Sequence, residues 1–364
     1  MHLSLLYQWI DDLAMHLPCL NSWQLENLAL FSLGVIEAES SQQMTIARKV
    51  ACGEQVASAE RRLRRFIAND KLALTRFFGE WTRWIMSRLE GETITLLVDE
   101  TKLADRLAIM LVGVAYEGRC IPLAWCCYTA NNAEAYPAEG QVALITTLLD
   151  AVAAGLPAGK KVLLLADRGI GTSPDLCRNV AAMGWHYLFR VTKQSKIITA
   201  DGDFTIYEQV TPGETWGADG LIFKQRGRIP AHARAIWSDG YDEPWALVTN
   251  DPTLTGYEYA RRNWQEQSFR DLKSGGWQWS SSQIRCPERM ARFLLILVVA
   301  YAWVLGVGSY AIHWGRARSL TRRPTGGYRR QWSIFKEGLQ FFADYILRYG
   351  VGLKPCFVSD QRLC

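Results

Sequence analysis

The sequence predicts an α/β protein: a mixed sheet carrying a β-rich insertion, preceded by an all-helical segment. Three observations predict it. Residues 1–90 carry helix-like apolar spacing broken by turns. From Thr93 the pattern changes to short apolar runs, ordered strand, strand, strand, helix, strand, helix, strand. One of those runs, Lys161–Ala166, is continuously apolar, as a strand covered on both faces should be.

In the first ninety residues, Met1–Leu17 is apolar but interrupted by Asp11 and Asp12 and lacks a basic start, unlike a targeting peptide. Thr45–Ala51 reads as a short helix and Cys52-Gly53-Glu54 as a turn. Ser58 is placed to cap a second helix, AERRLRRFIA. The pair resembles a helix-turn-helix, with Arg61, Arg62, Arg64 and Arg65 able to reach phosphates or base edges. The alternative is a helix with a solvated basic face.

TITLLVDET is then a strand ending in Asp99. Ala108–Tyr116 and Cys120–Tyr128 form a hairpin about Glu117-Gly118. Asn131–Gly140 is a loop, and Gln141–Ala154 a helix stopped by Gly155 and Pro157. Lys161–Ala166 ends in Asp167. Pro174–Met183 is a helix and Trp185–Val191 a strand. Three antiparallel strands followed by parallel additions through helices is the order of a ribonuclease-H-like fold. Ligand chemistry in such sheets sits at the carboxyl ends of the strands, where Asp99 and Asp167 lie.

Residues 195–250 form the β-rich insertion, with runs at Lys196–Thr199, Phe204–Val210, Leu221–Lys224, His232–Trp237 and Trp245–Thr249. The alternative for the last is a return to the main sheet. YARRNWQEQSFRDLK follows, without Gly or Pro until Gly275-Gly276, and is predicted as one helix. At about 100° per residue, Tyr259, Arg262, Glu266 and Lys273 fall within roughly 60° of one another. A phenol, a guanidinium, a carboxylate and an ammonium on one face suit a phosphodiester and a divalent metal. A solvated charged face with chance spacing is the alternative.

Phe293–Ile312 is twenty residues without a charge, long enough for a membrane span. Its isolation, its glycines and its place after a polar helix favour a buried core helix instead. Residues 91–314 thus make the second domain. Residues 315–364 hold ten Lys/Arg against three Asp/Glu, and RARSLTRRPTGGYRR within them reads as a loop or arm. The chain's net charge of +5 is therefore concentrated in a basic tail, which suggests a polyanionic partner. Nine cysteines without a C-x-x-C and five scattered histidines argue for free thiols in a reducing cytosol and against zinc.

Asp99, Asp167 and Glu266 are the candidate carboxylates for a pair of Mg²⁺ ions, coming from two strand ends and one helix. For either Asp alone, a turn or cap role competes. Glu100 is a spare carboxylate that strand alternation turns to the opposite face.

With these residues in view, the chain resembles the DDE transposases of bacterial insertion sequences, in the group of insertion sequence four and its relatives. That group's Y-x2-R-x3-E-x6-K signature falls on Tyr259, Arg262, Glu266 and Lys273, preceded by strand-end motifs VDET and ADRGIG. The resemblance covers Thr93 to about Trp314. It implies that Asp99, Asp167 and Glu266 hold two Mg²⁺ or Mn²⁺ ions, and that water cuts DNA at the element's ends. The freed 3′-hydroxyl then attacks the opposite strand or a target duplex. Arg262, Lys273 and Tyr259 would grip phosphates. An aromatic of the insertion would stack on a flipped base, with Trp237 the choice ahead of Trp216 and Trp245. Double-stranded DNA as partner, two protomers holding two ends, no membrane, and residence in the bacterial cytoplasm on the chromosome follow from the same resemblance. A nuclease that cuts without joining, and a transposase-derived protein that only binds DNA, are the other readings.

Overall fold

The computed structural model describes residues 3–51, 53, 55–132, 140–224, 227–314, 320–322, 328–330, 332–350 and 357. Five helices come first: α1 (Leu3–His16), α2 (Ser22–Ala38), α3 (Gln43–Val50), α4 (Val56–Ala68) and α5 (Leu74–Met86). Helix α2 starts where Asn21 and Gln24 cap each other's backbone N–H groups. The predicted helix pair is present as α3 and α4. However, α4 begins two residues before Ser58, with Gln55 rather than Ser58 at its N-cap. Cys52 and Glu54 of the predicted turn lie outside the described residues.

The sheet is built from β1 (Thr93–Leu103), β2 (Leu107–Tyr116), β3 (Arg119–Thr129), β4 (Lys161–Ala166), β5 (His186–Arg190), β6 (Lys196–Thr199), β7 (Gly202–Thr205), β8 (Thr215–Ile222), β9 (Ile229–Ile236) and β10 (Trp245–Thr249). Its strand order is β3-β2-β1-β4-β5-β10-β9-β8-β6-β7. β1, β4 and β5 are mutually parallel, and the other pairings are antiparallel. Helix α6 (Gly140–Ala153) connects β3 to β4. The single turn α7 (Arg168–Gly171) and α8 (Pro174–Ala182) connect β4 to β5. The predicted loop at 131–140 lies mostly outside the described residues.

The β-rich stretch is continuous with the main sheet. β10 rejoins it beside β5, and β9, β8, β6 and β7 extend it outward. The expected strand Phe204–Val210 is shorter: β7 stops at Thr205 and a 3₁₀ turn spans Ile206–Glu208. Leu221–Lys224 is only the end of β8, which begins at Thr215.

The predicted single helix over the signature residues is two pieces, a 3₁₀ segment Tyr257–Arg262 and α9 (Asn263–Leu272). The 3₁₀ turn starts at Gly256, whose φ of 94° suits glycine alone. Next comes α10 (Pro287–His313), whose most apolar window is 94% buried inside the fold. It is long and apolar enough to cross a membrane, yet here it packs on α2, α4 and β3 and forms the core. The Trp125 indole, on β3, donates to its Ala291 carbonyl.

The C-terminal segment departs from a loop or arm where it is described. Leu320–Arg322 and Tyr328–Arg330 pair as antiparallel β11 and β12. Helix α11 (Ile334–Phe341) packs on α10. The rest of the basic stretch lies outside the described residues. The six described cysteines are free thiols.

Candidate active site

Strand register brings the first two acids together. β1 and β4 run parallel and in step from Thr93↔Lys161 to Val98↔Ala166. The next residue on each strand is Asp99 and Asp167, so the two are neighbours across the sheet. β1 continues to Leu103, paired only with β2, so Asp99 stands inside a strand rather than at its end.

β4 stops because Asp167 caps α7: its Oδ1 accepts from Gly169 N at 3.0 Å and Ile170 N at 3.1 Å. The capping role weighed against function therefore coexists with it, since Oδ2 faces elsewhere. Asp99 divides its oxygens in the same way, with Oδ1 accepting from Glu100 N at 2.9 Å. The glycines of ADRGIG let α7 lie close to β5: a Cβ on Gly171 would stand 2.6 Å from the Arg190 carbonyl oxygen.

Helix α9 supplies the third acid. Its inner face is pinned by Gln265, whose amide donates to the Leu111 carbonyl at 3.0 Å, and by Ser268, which accepts from Cys120 N at 2.7 Å. Asp271, one turn on, pairs with Arg119 and accepts from the buried Tyr301 hydroxyl at 3.0 Å. Glu266 lies on the other side of α9, half exposed.

Arg262 joins all three acids. Its Nη2 donates to Asp99 Oδ2 at 2.9 Å and to Asp167 Oδ2 at 3.4 Å, and its Nη1 donates to Glu266 Oε1. Burial works to lower the guanidinium's pKa, but Asp99, Tyr259, Glu266 and Asp167 hold it above the ordinary value. Asp99 is itself pushed up to about 6, chiefly by burial and in part by Asp167 and Glu266, against the pull of Arg262. One cation among three carboxylates leaves an excess of negative charge. Among the described residues no three His, Cys, Asp or Glu side chains are grouped to hold a metal as they stand. The guanidinium occupies the space between them. The donors are all hard oxygens from separate elements, the set that a magnesium or manganese ion takes.

The remaining signature residues do not form one helical face. Tyr259 is buried, edge-on to Trp245 at 5.3 Å, and burial raises its hydroxyl pKa. Lys273, just past α9, reaches β1 instead: its Nζ donates to Thr101 Oγ1 at 2.6 Å and to the Lys102 carbonyl at 2.7 Å. Burial lowers its pKa. Glu100 points away, as alternation requires, and accepts from Tyr128.

Of the aromatics, Trp237 donates its indole N–H to the Tyr241 carbonyl at 2.9 Å, and Trp216 packs on Phe204. Trp245, the reserve choice, is the one that touches a signature residue. On α4, Arg61 and Arg65 are exposed, and Arg64 pairs with Glu60. Arg62 turns inward to Asn27 Oδ1 at 2.7 Å. The Arg119–Asp271–Tyr301 group and a cation cluster on Glu243 escaped sequence reasoning, because their members are far apart along the chain and belong to no motif.

A family model described as a transposase DDE domain matches residues 132–303, which include Asp167, Tyr259, Arg262, Glu266 and Lys273. No curated protein matches the chain. The mixed sheet with its leading helices is consistent with that family. The match, over just under half of the chain, supports a DDE transposase, an enzyme that moves DNA.

Proposed function

We propose that the protein is a ribonuclease-H-like transposase of the Y-x2-R-x3-E-x6-K group, which cuts DNA at the ends of its insertion sequence and joins them to target DNA. The observation that carries this reading is the convergence of Asp99, Asp167 and Glu266 on the single guanidinium of Arg262. The order β3-β2-β1-β4-β5, with Asp99 and Asp167 adjacent on parallel strands, supports the fold assignment.

Asp99, Asp167 and Glu266 would hold two Mg²⁺ or Mn²⁺ ions, which when bound activate the attacking oxygen and stabilise the leaving one. The chain's own residues set the geometry. Asp99 and Asp167 each anchor one oxygen on a backbone N–H, which fixes the direction of the other. Arg262 bridges the three acids in the metal-free protein and is then released to donate to a phosphate oxygen, for which its planar fork is suited. Lys273 brings a second cation to β1 two residues beyond Asp99, and Tyr259 offers a hydroxyl. In the first reaction a water oxygen bonds to phosphorus as the 3′-oxygen leaves with a proton. In the second, that 3′-hydroxyl bonds to a phosphorus of the acceptor strand, expelling its 3′-oxygen. No bond to the protein is needed. DNA ends are brought together by two protomers, on the chromosome in the bacterial cytoplasm.

The test is cleavage and strand transfer on duplexes carrying the element's own flanking DNA, with Mg²⁺ and with chelator. Asp99→Ala, Asp167→Ala and Glu266→Ala should each reduce both steps by at least about 100-fold, as loss of a group stabilising transition-state charge does. Variants that cut like the parent would refute the assignment. Cutting without joining would make the protein a plain nuclease.

A further inference from the structure

We propose that Arg168, Arg190 and Lys193 form a second binding site, for a backbone phosphate of the DNA strand running past Asp167, with Glu243 holding that site in the absence of DNA. The inference rests on the transposase reading and deepens it.

The site is an extension of the sheet edge that carries the acids. β4 and β5 are parallel and in step up to Ala166↔Phe189, so Arg190 follows Phe189 as Asp167 follows Ala166. Asp99, Asp167 and Arg190 are thus successive positions along one edge, each about 4.8 Å from the next. Arg168 opens α7, and Lys193 lies in the turn after β5.

These three cations come from separate segments and all meet Glu243, in the loop before β10. Arg168 Nη2 lies 3.1 Å from Glu243 Oε1, Lys193 Nζ lies 2.7 Å from Oε2, and Arg190 also donates to Oε1. The bond from Lys193, with Arg190 behind it, holds the Glu243 carboxyl down at about 2, and Glu243 in turn raises Lys193. Glu243 and Lys193 are therefore charged at neutral pH, and an arginine guanidinium always is. Within this cluster one negative charge meets three positive ones.

Tying two loops together needs a single ion pair. Three cations on one carboxylate cost mutual repulsion that a second anion would relieve. A phosphate offers the same planar pair of acceptor oxygens as a carboxylate and accepts from an arginine fork in the same way. Arg168 and Lys193 remain 44% and 49% exposed, so a strand can reach them without unfolding anything.

The experiment is equilibrium binding of a short fluorescent duplex of arbitrary sequence, with chelator present so that no cutting occurs, across a salt titration. Lys193→Ala and Arg168→Ala should each weaken binding and reduce the slope of log affinity against log salt by about 0.9, one released counterion. Glu243→Gln should tighten binding about fivefold, the factor for removing one repelling charge near a surface phosphate. Thermal unfolding of each variant shows that it is folded. Half-exposed Lys193 supplies the readout if Glu243→Gln does not fold.

A parent that binds duplex while the cation variants keep its salt slope, or a folded Glu243→Gln that binds no better, would overturn the site and leave the transposase reading standing. A parent that binds no duplex overturns both. Inorganic phosphate, titrated by calorimetry into the parent, should bind far more weakly than duplex. Equal affinity would assign the cluster to a small anion and overturn the proposal.

Discussion

Nη2 of Arg262 lies 2.9 Å from Oδ2 of Asp99, and the same nitrogen lies 3.4 Å from Oδ2 of Asp167. One donor atom thus spans two acids from neighbouring parallel strands, while Nη1 takes Glu266. The guanidinium is largely buried, at 13% side-chain exposure. Its charge is what allows three carboxylates to face one another without a metal.

Removing that charge should therefore cost stability first. Arg262→Met leaves Asp99 buried without its paired guanidinium, and loss of one partner of a buried pair costs about 3 kcal/mol. The variant should melt well below the parent in chelator. Saturating Mg²⁺ should close most of the gap, because a ligand that binds only the folded state stabilises it by mass action. Differential scanning calorimetry with and without Mg²⁺ checks this. A variant as stable as the parent in chelator would show that the cation is not needed there.

The same contact predicts a pH dependence. The Asp99 pKa is raised from 3.8 to about 6, first by burial. The folded state therefore binds that proton more tightly than the unfolded state does. Its contribution is most favourable below 3.8 and becomes less so as pH rises to about 6, where it levels off. In Arg262→Met the pull toward ionisation is gone, so the decline should extend to higher pH than in the parent. Chemical unfolding between pH 4 and 8 in chelator would show it (a window of roughly two units on either side of 6).

Much of this site is legible in the sequence, for local reasons. Lys161–Ala166 could only be a buried strand, and it is β4 with the same limits. ADRGIG marks a strand-to-loop transition, whereas VDET runs on inside β1, and register makes Asp99 and Asp167 adjacent. The Tyr259-to-Lys273 stretch departs from the single regular helix that its spacing predicts. The 3₁₀ turn before α9 rotates Tyr259 inward, and Lys273 falls past the helix end. The partners of α9 are invisible in the sequence. Arg119 follows a hairpin turn and Tyr301 sits in an apolar run, and only tertiary packing brings both to Asp271.

Asp271 should accordingly act on Glu266 from a distance, by fixing α9. Asp271→Asn leaves the Arg119 guanidinium buried without its counter-charge, at a cost of about 3 kcal/mol. Tyr301→Phe removes one hydrogen bond and should cost about 1 kcal/mol. Mg²⁺ affinity, measured by thermal shift at temperatures where both variants are folded, should fall for Asp271→Asn and hold for Tyr301→Phe. Equal affinities would confine the network to stability.

Asp251 provides a control away from the acids. It accepts from Lys161 Nζ at 2.6 Å and from Thr253 N and Oγ1. Burial opposes ionisation there, but Lys161 and Thr253 outweigh it and bring the carboxyl down from 3.8 to about 2. A depressed folded pKa gives stability that is full above 3.8 and is lost as pH falls through 2. Asp251→Asn should cost about 2 kcal/mol at neutral pH, the order that such a shift implies. It should also flatten the acid limb of the unfolding curve between those values. Urea midpoints measured down the acid range test both statements.

Gly308 of the long apolar helix answers to packing. Ideal Cβ atoms at Gly308 of α10 and Gly338 of α11 would stand 2.1 Å from the Ile334 carbonyl oxygen and 2.0 Å from the Val304 carbonyl oxygen. Each glycine thus admits the other helix's backbone, and neither obstruction is a flexible side chain. Glycine lowers helix propensity by about 1 kcal/mol relative to alanine, so an exposed helix would gain from the substitution. Here Gly308→Ala must separate α10 from α11 and should cost about 3 kcal/mol, the upper part of the range for overpacking. The sign decides the matter: a Gly308→Ala protein that melts higher than the parent would mean that α11 does not lie against α10.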